Sequence, residues 1–148
     1  MALTIRPIEP RDREAWAPLW RGYLAFYETV LPEEAYEAAF RRATAADGRS
    51  GGFIAESNGQ AVGLVHWLMH PTFWNERELC YLQDLFTAPD ARGTGAGRAL
   101  IEAVRSLAEH RNCLRVYWLT HESNAQARAL YDKVAQNSGF IVYRQPIG

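Results

Sequence analysis

Lysine is almost missing from this chain of 148 residues: Lys133 is the only one. Charge of one sign is missing too. Sixteen basic residues against seventeen acidic ones leave a formal net charge of -1. That balance argues against a nucleic-acid binder, which carries a basic excess. It also gives no broad field to gather cationic substrates, so any such preference is local. Cysteine is scarce. Cys80 and Cys113 form neither a metal-ligand spacing nor a disulfide framework, as expected of a reducing cytoplasm. No apolar run approaches the roughly 20 residues of a membrane span, and "MALTIRPIEP" turns charged too soon for a secretory leader. Repeats, low-complexity tracts and linkers are also lacking, so residues 1–148 read as a single domain, long enough to bury a core.

What is present is a regular alternation of strand-like and helix-like segments. "LTIRPI" alternates as a first strand. From Asp12 onward, Trp16, Leu19, Trp20, Tyr23, Leu24 and Tyr27 recur at three-to-four spacing and predict an amphipathic helix with an aromatic face. "PEEAYEAAFRRA" reads as a second helix with Pro32 in its first turn. "GGFIAES" and "AVGLVHWLM" are strands joined through Asn58-Gly59, a strong hairpin signal. "ELCYLQDLFT" is mostly apolar and reads as a central strand. A helix follows Gly97, with Leu100, Ile101, Val104, Leu107 and Ala108 on one stripe. "LRVYWLT" is a fifth strand, "NAQARALYDKVAQ" a helix and "GFIVYR" a last strand. The order β-α-α-β-β-β-α-β-α-β mixes hairpins with helical crossovers, so the sheet is expected to be mixed.

The segment "TAPDARGTGAGRALIEAV" leaves the central strand and enters a helix through three closely spaced glycines. A helix N-terminus offers unpaired N–H groups and a partial positive charge, and glycines let a phosphate approach the backbone. Three phosphate cradles compete for this pattern. The P-loop needs G-x-x-x-x-G-K-[ST], and no lysine is nearby. The dinucleotide fingerprint G-x-G-x-x-G begins well at Gly93 and Gly95 but meets Arg98 where its third glycine belongs. The pattern [Q/R]-x-x-G-x-[G/A] is satisfied by Arg92, Gly95 and Gly97.

That third pattern is the acetyl-coenzyme A signature of the GNAT (GCN5-related) N-acetyltransferase superfamily, which this chain resembles over nearly its whole length. The resemblance is carried by "YLQDLFTAPDARGTGAGRALIEAV" and by "YWLTHESNAQARALYDKVAQNSGF". Within the superfamily it looks most like the fungal histone and polyamine acetyltransferases with their bacterial relatives, and is also similar to the spermidine/spermine acetyltransferases. It implies a single-domain α/β (α+β) GNAT fold: a mixed, mostly antiparallel sheet flanked by about four helices, with acetyl-CoA in a splay between the fourth and fifth strands. It implies cofactor contacts from Leu85, Phe86 and Thr87 at the strand end, from Arg92, Gly93, Thr94, Gly95, Ala96, Gly97 and Arg98 in the loop, and from Asn124. Read from the sequence alone, Asn124 is an N-cap; the two roles are compatible. No metal is implied, and a homodimer is expected, partly from the apolar "GFIVYR".

Acetyl transfer to an amine needs an acid for the departing thiolate and a base for the ammonium. Tyr131 matches the family's acid; read alone, it is an aromatic on the packed face of its helix. A primary amine near pKa 10.4 costs roughly 4 to 5 kcal/mol to deprotonate at pH 7. Where the spermidine/spermine enzymes carry a glutamate base, this chain has Gln83, which accepts no proton. Asp84 is the remaining candidate base, because an acid in an apolar strand must meet something polar; a structural ion pair is the plain alternative. His66, His70, His121 and Glu122 are weaker candidates. The acceptor is expected among Tyr27, Glu28, Trp74 and Gln83, with Tyr23, Glu33, Glu34 and Glu76 nearby, since aromatics and carboxylates suit a cationic amine. The expected reaction is direct acetylation of a polyamine, a basic amino acid or a lysine-like side chain. The alternative is an acyl-CoA-binding regulatory module without turnover.

Overall fold

Strand β1 (Leu3–Pro7) leads through a single 3-10 turn into helices α1 (Arg13–Phe26) and α2 (Glu33–Ala43). Strands β2 (Ser50–Ser57), β3 (Gln60–Thr72) and β4 (Asn75–Thr87) follow, then α3 (Ala96–His110), β5 (Arg115–Tyr117) and α4 (Ala125–Val134). These elements come from a computed structural model that describes residues 2–148. The strands lie in the order β1-β2-β3-β4-β5. Each pairing is antiparallel except β4 with β5, which is parallel.

Local chemistry accounts for the turns. Asn58 and Gly59 both take positive φ, 54° and 76°, the pair of left-handed residues that a tight hairpin requires. A second two-residue turn, Phe73-Trp74, joins β3 to β4, with Thr72 paired to Asn75. The sheet buries both faces. On one, Val65, Trp67, Met69, Cys80 and Leu82 pack against Leu100, Ile101 and Val104 of α3. On the other, Ile54 and Leu64 meet Trp16, Trp20 and Leu24 of α1 and Tyr36 of α2. Trp16 is fully buried and stacks on Trp20 with ring centroids 5.2 Å apart.

One irregularity of the sheet positions the site. His66 pairs with Asp84, but the next residue, Trp67, pairs with Leu82, which leaves Gln83 as the extra residue of a β-bulge. The bulge changes the parity of β4. Cys80 and Leu82 face α3, whereas Asp84 and Phe86 turn to the α1 side, where His66 and Gly22 meet them. A second feature follows from how short β5 is. It pairs with β4 only at Leu79, Cys80 and Tyr81. Beyond Tyr81 the two strands part, and Leu82 to Thr87 have no strand on that side. The expected fifth strand "LRVYWLT" is therefore cut to its first half, and that shortening makes the splay.

One expected element is absent. "GFIVYR" forms no strand; residues 135–148 carry no regular structure, and the large side chains Phe140, Ile141, Val142 and Tyr143 are exposed. The alternating pattern is that of a strand, but a strand forms only where a neighbouring edge supplies hydrogen bonds, and this segment lies against none.

Candidate active site

The glycine loop behaves as a helix cap. Gly95 is the N-cap of α3 with φ 89°, and Gly93 has φ 82°, both in the left-handed region. A Cβ on either glycine would meet nothing within 4 Å. Bare backbone therefore faces open space at the mouth of the splay, beside the first N–H groups of α3, which have no intrahelical acceptor. The Thr94 hydroxyl donates to the Ala91 carbonyl at 2.5 Å and ties the loop down. Arg92 and Arg98 are both exposed here. Such a helix start suits an anion, and Leu85, Phe86 and Thr87, just before the loop, pair with β3 but not with β5.

Across the splay, the side chain of Asn124 caps α4 by accepting from the Ala127 N–H at 3.2 Å. Its amide nitrogen is left for other partners, and the residue borders a cavity of about 490 Å³ between the end of α1 and the start of α4. Tyr27, Glu28 and His121 share that lining.

Asp84 is one of only two buried acids among the described residues, the other being Asp12. The two differ in kind. Asp12 takes two hydrogen bonds of 2.8 Å from Arg6, and that guanidinium holds its carboxyl below the usual range. Asp84 has no arginine. Its Oδ2 lies 2.7 Å from His66 Nδ1, and the indole N–H of Trp16 donates to His66 Nε2 at 2.9 Å. An indole N–H only donates, so Nε2 accepts and the ring proton sits on Nδ1, aimed at Asp84. Trp16 thus fixes the tautomer of His66, and His66 fixes the carboxylate.

Three tyrosines crowd the same place. Burial first, then the charge and hydrogen bond of Asp84, hold the Tyr23 phenol far above its ordinary value. Tyr27 is raised by burial and by Asp84, and its ring lies 5.1 Å from that of Tyr23. The Tyr131 phenol is pushed up to about 12 by burial, with a further push from Tyr27. Tyr23 and Tyr27 therefore feel the charge of Asp84, and Tyr131 feels Tyr27. Trp118 meets the Tyr131 ring edge-on at 5.5 Å.

The structure disperses other expected residues. Gln83 is exposed on the bulge, while Asp84 is turned inward. Trp74 is corrected outright as an acceptor contact. It sits 83% exposed at the tip of the β3–β4 hairpin, roughly 30 Å of strand from Asp84 at about 3.3 Å per residue. Glu76 shares that end. Glu33 pairs with Arg13 at 2.9 Å on the outer side of α2. His70 bonds the Tyr117 hydroxyl at 2.8 Å, and Glu122 is exposed. The contacts of Trp16 and His66 with Asp84 are not legible in the sequence. Its signal is a histidine and an aspartate in neighbouring strands, which only the register turns into a contact.

The fold is that of an acetyltransferase. The family model described as "Acetyltransferase (GNAT) family" matches residues 16–135. The chain is 37% identical over 145 residues to the D-amino-acid N-acetyltransferase HPA3 of Saccharomyces cerevisiae (strain ATCC 204508 / S288c), covering 97% of this chain and 90% of that one. It is 32% identical to the uncharacterized N-acetyltransferase YhfO of Bacillus subtilis (strain 168), covering 95% of each. The structure of AAC(6')-Iy with the bisubstrate analogue CoA-S-monomethyl-acetylneamine superposes with a TM-score of 0.86 at 18% identity, over 100% of each chain. The chain belongs to the GNAT acetyltransferase family and is an N-acetyltransferase.

Proposed function

We propose that this enzyme acetylates the primary amine of a small molecule with acetyl-CoA, by direct attack on the thioester. The observation that carries the reading is the pairing, on one splay, of a bare glycine-capped helix N-terminus with a buried carboxylate that no arginine neutralises. Acetyl-CoA supplies the activated acetyl group when bound. Gly93 to Arg98 hold its pyrophosphate through backbone N–H groups, and the free edge of Leu85 to Thr87 pairs with its amide-bearing arm. Asp84, oriented by His66, takes the proton that the ammonium must lose. Tyr131, protonated throughout the working range because burial raises it to about 12, donates its hydroxyl proton or a hydrogen bond to the leaving sulfur. Backbone N–H groups at the bulge supply further polar stabilisation, and orientation supplies much of the remaining rate.

The acceptor enters at the cavity lined by Tyr27 and Glu28. Glu28 supports this role by its backbone. At the end of α1, the Thr29 N–H donates to the Leu24 carbonyl and the Glu28 N–H to the Ala25 carbonyl, both at 2.9 Å. This is a Schellman cap, and it places Glu28 at φ 54°, where glycine is the usual residue. A carboxylate is held in a strained conformation at the mouth of the site, as functional residues often are. Glu28→Gly is expected to stabilise the fold by about 1 kcal/mol, the strain of a left-handed backbone on a residue with a Cβ, while raising the KM for a cationic acceptor. Thermal melts and acceptor titrations check the two effects; a KM left unchanged removes Glu28 from acceptor binding.

The name of the yeast relative brings the α-amino group of an amino acid into the acceptor class beside polyamines. A thiol-release assay with acetyl-CoA against D- and L-amino acids, polyamines and basic peptides tests this. The free small amines are expected to release thiol and the peptides to lag. Release driven by peptides alone would overturn the small-molecule reading.

A further inference from the structure

Behind Asp84 stands a short chain of hydrogen bonds that ends in the α1-side core. Asp84 Oδ2 lies 2.7 Å from His66 Nδ1, and His66 Nε2 accepts from the Trp16 indole at 2.9 Å. Both ring nitrogens of His66 are therefore engaged, one with an acceptor and one with a donor. The side chains of His66 and Asp84 are only 12% and 11% exposed, and Trp16 is fully buried. Neighbours hold the indole in place. It stacks on Trp20, meets Tyr36 edge-on at 6.2 Å and lies 5.0 Å from the Phe40 ring. The core has no acceptor to spare for it. The indole N–H of Trp20, buried beside it, has no hydrogen-bond partner among the described residues.

A second proton on His66 has no place in this arrangement. It would sit on Nε2, where the Trp16 N–H already points, and two donors would then face each other at 2.9 Å. Relieving that clash would leave the indole N–H buried and unpaired, which is destabilising. The other groups around the ring do not change this balance. β2 places Gly52, which has no side chain, opposite His66. From α1 come Tyr23, bonded to Asp84, and Arg13, whose guanidinium lies 5.5 Å over the Trp16 ring. From α2 comes Tyr36, with Arg21 of α1 5.3 Å over its ring. Among the described residues, Asp84 is the one carboxylate bonded to the imidazole. Its charge favours an imidazolium, and the Trp16 N–H opposes one by geometry.

We propose that Trp16 is a positioning residue for acetyl transfer. By occupying His66 Nε2, its indole N–H keeps the imidazole neutral, so that Asp84 faces a neutral donor and stays able to take the proton of the ammonium. This rests on the reading of Asp84 as the base. An imidazolium in the same place would orient the same oxygen but weaken the base. A cation against a carboxylate lowers its basicity by roughly one to three powers of ten. A neutral Nδ1–H lowers it far less, because it brings a hydrogen bond without a charge. In the transfer, an N–H bond of the ammonium breaks, its proton moves to a carboxylate oxygen of Asp84, and the nitrogen lone pair is freed for attack on the thioester. His66 keeps its single proton throughout, so it orients the base and does not relay protons.

The ring nitrogens of His66 report this in the parent protein, with no variant that disturbs the core. Long-range proton–nitrogen spectra of histidine-labelled protein are expected to show Nδ1 protonated and Nε2 bare from pH 6 to pH 9. The His66 signals are assigned by their loss in His66→Asn. Trp16→Phe frees Nε2. Its kcat/KM relative to the parent is expected to be roughly 10-fold or more lower at pH 6 and to recover that factor by pH 10, where an imidazole is neutral again. Adding His66→Asn to Trp16→Phe supplies an amide that donates to Asp84 and never carries a charge. The double variant is expected to lose the acid-side deficit. A parent His66 protonated on Nε2 at pH 7 overturns the proposal. So does a Trp16→Phe deficit that stays constant with pH, or one that the double variant keeps, since packing alone then accounts for Trp16. The spectra read the ring and not turnover, so they fail independently of Asp84→Asn, which tests the base itself.

Discussion

Tyr131→Phe is expected to lower turnover by roughly 10²- to 10⁴-fold, the range for a lost acid–base group, while leaving the fold and the KM for acetyl-CoA close to the parent's. The substitution keeps the ring and its edge-on contact with Trp118, so packing is conserved. What it removes is a single hydroxyl that matters more in the transition state than in the ground state. The pH dependence carries a second check. Burial raises this phenol to about 12, so the parent keeps its acid well past the ordinary tyrosine range. No alkaline fall in turnover caused by this group is expected below about pH 11. The same shift acts on stability. A folded-state value above the unfolded one adds stability that is fully present below pH 10 and is lost as pH climbs through about 12. Tyr131→Phe escapes that part of the alkaline loss. Undiminished turnover in the variant would return Tyr131 to a packing role.

Asp84→Asn is expected to cost a similar 10²- to 10⁴-fold near neutral pH, with a signature that Tyr131→Phe lacks. Asparagine keeps an oxygen to accept from His66 Nδ1, so the Trp16–His66 contact survives. The lost function is proton acceptance. As pH rises toward the acceptor's own pKa, more amine arrives already neutral, and the deficit should shrink. Rate profiles of parent and variant from pH 7 to pH 10 measure this. A loss that stays constant across that range would make Asp84 a positioning residue and leave the base elsewhere.

Much of the fold is legible in the sequence. The glycine cluster after an apolar strand reads as bare backbone at a helix start, and Gly95 is the left-handed cap of α3. Asn124 reads as an N-cap and is one. Asn58-Gly59 reads as a hairpin turn and is one. What the sequence hides depends on register. Asp84 follows Gln83 in sequence, and only the bulge decides that the aspartate turns toward α1. His66 is 18 residues from Asp84 and 50 from Trp16, so no local pattern joins them. Trp74 reads as a loop aromatic only if β3 and β4 stop short; each runs to 13 residues and carries the turn away from Asp84. "GFIVYR" alternates like a strand, but alternation reports a pleated preference and says nothing of whether an edge is in reach.

The central claim is direct acetyl transfer from acetyl-CoA to an amine, with no acetylated enzyme on the way. The measurement closest to it is initial velocity with both substrates varied, following CoA release and acetylated product together. Direct attack predicts intersecting double-reciprocal lines, one product formed per CoA released, and no CoA burst without amine. Parallel lines with a burst of CoA before any amine is added, the fingerprint of a covalent intermediate, would contradict it.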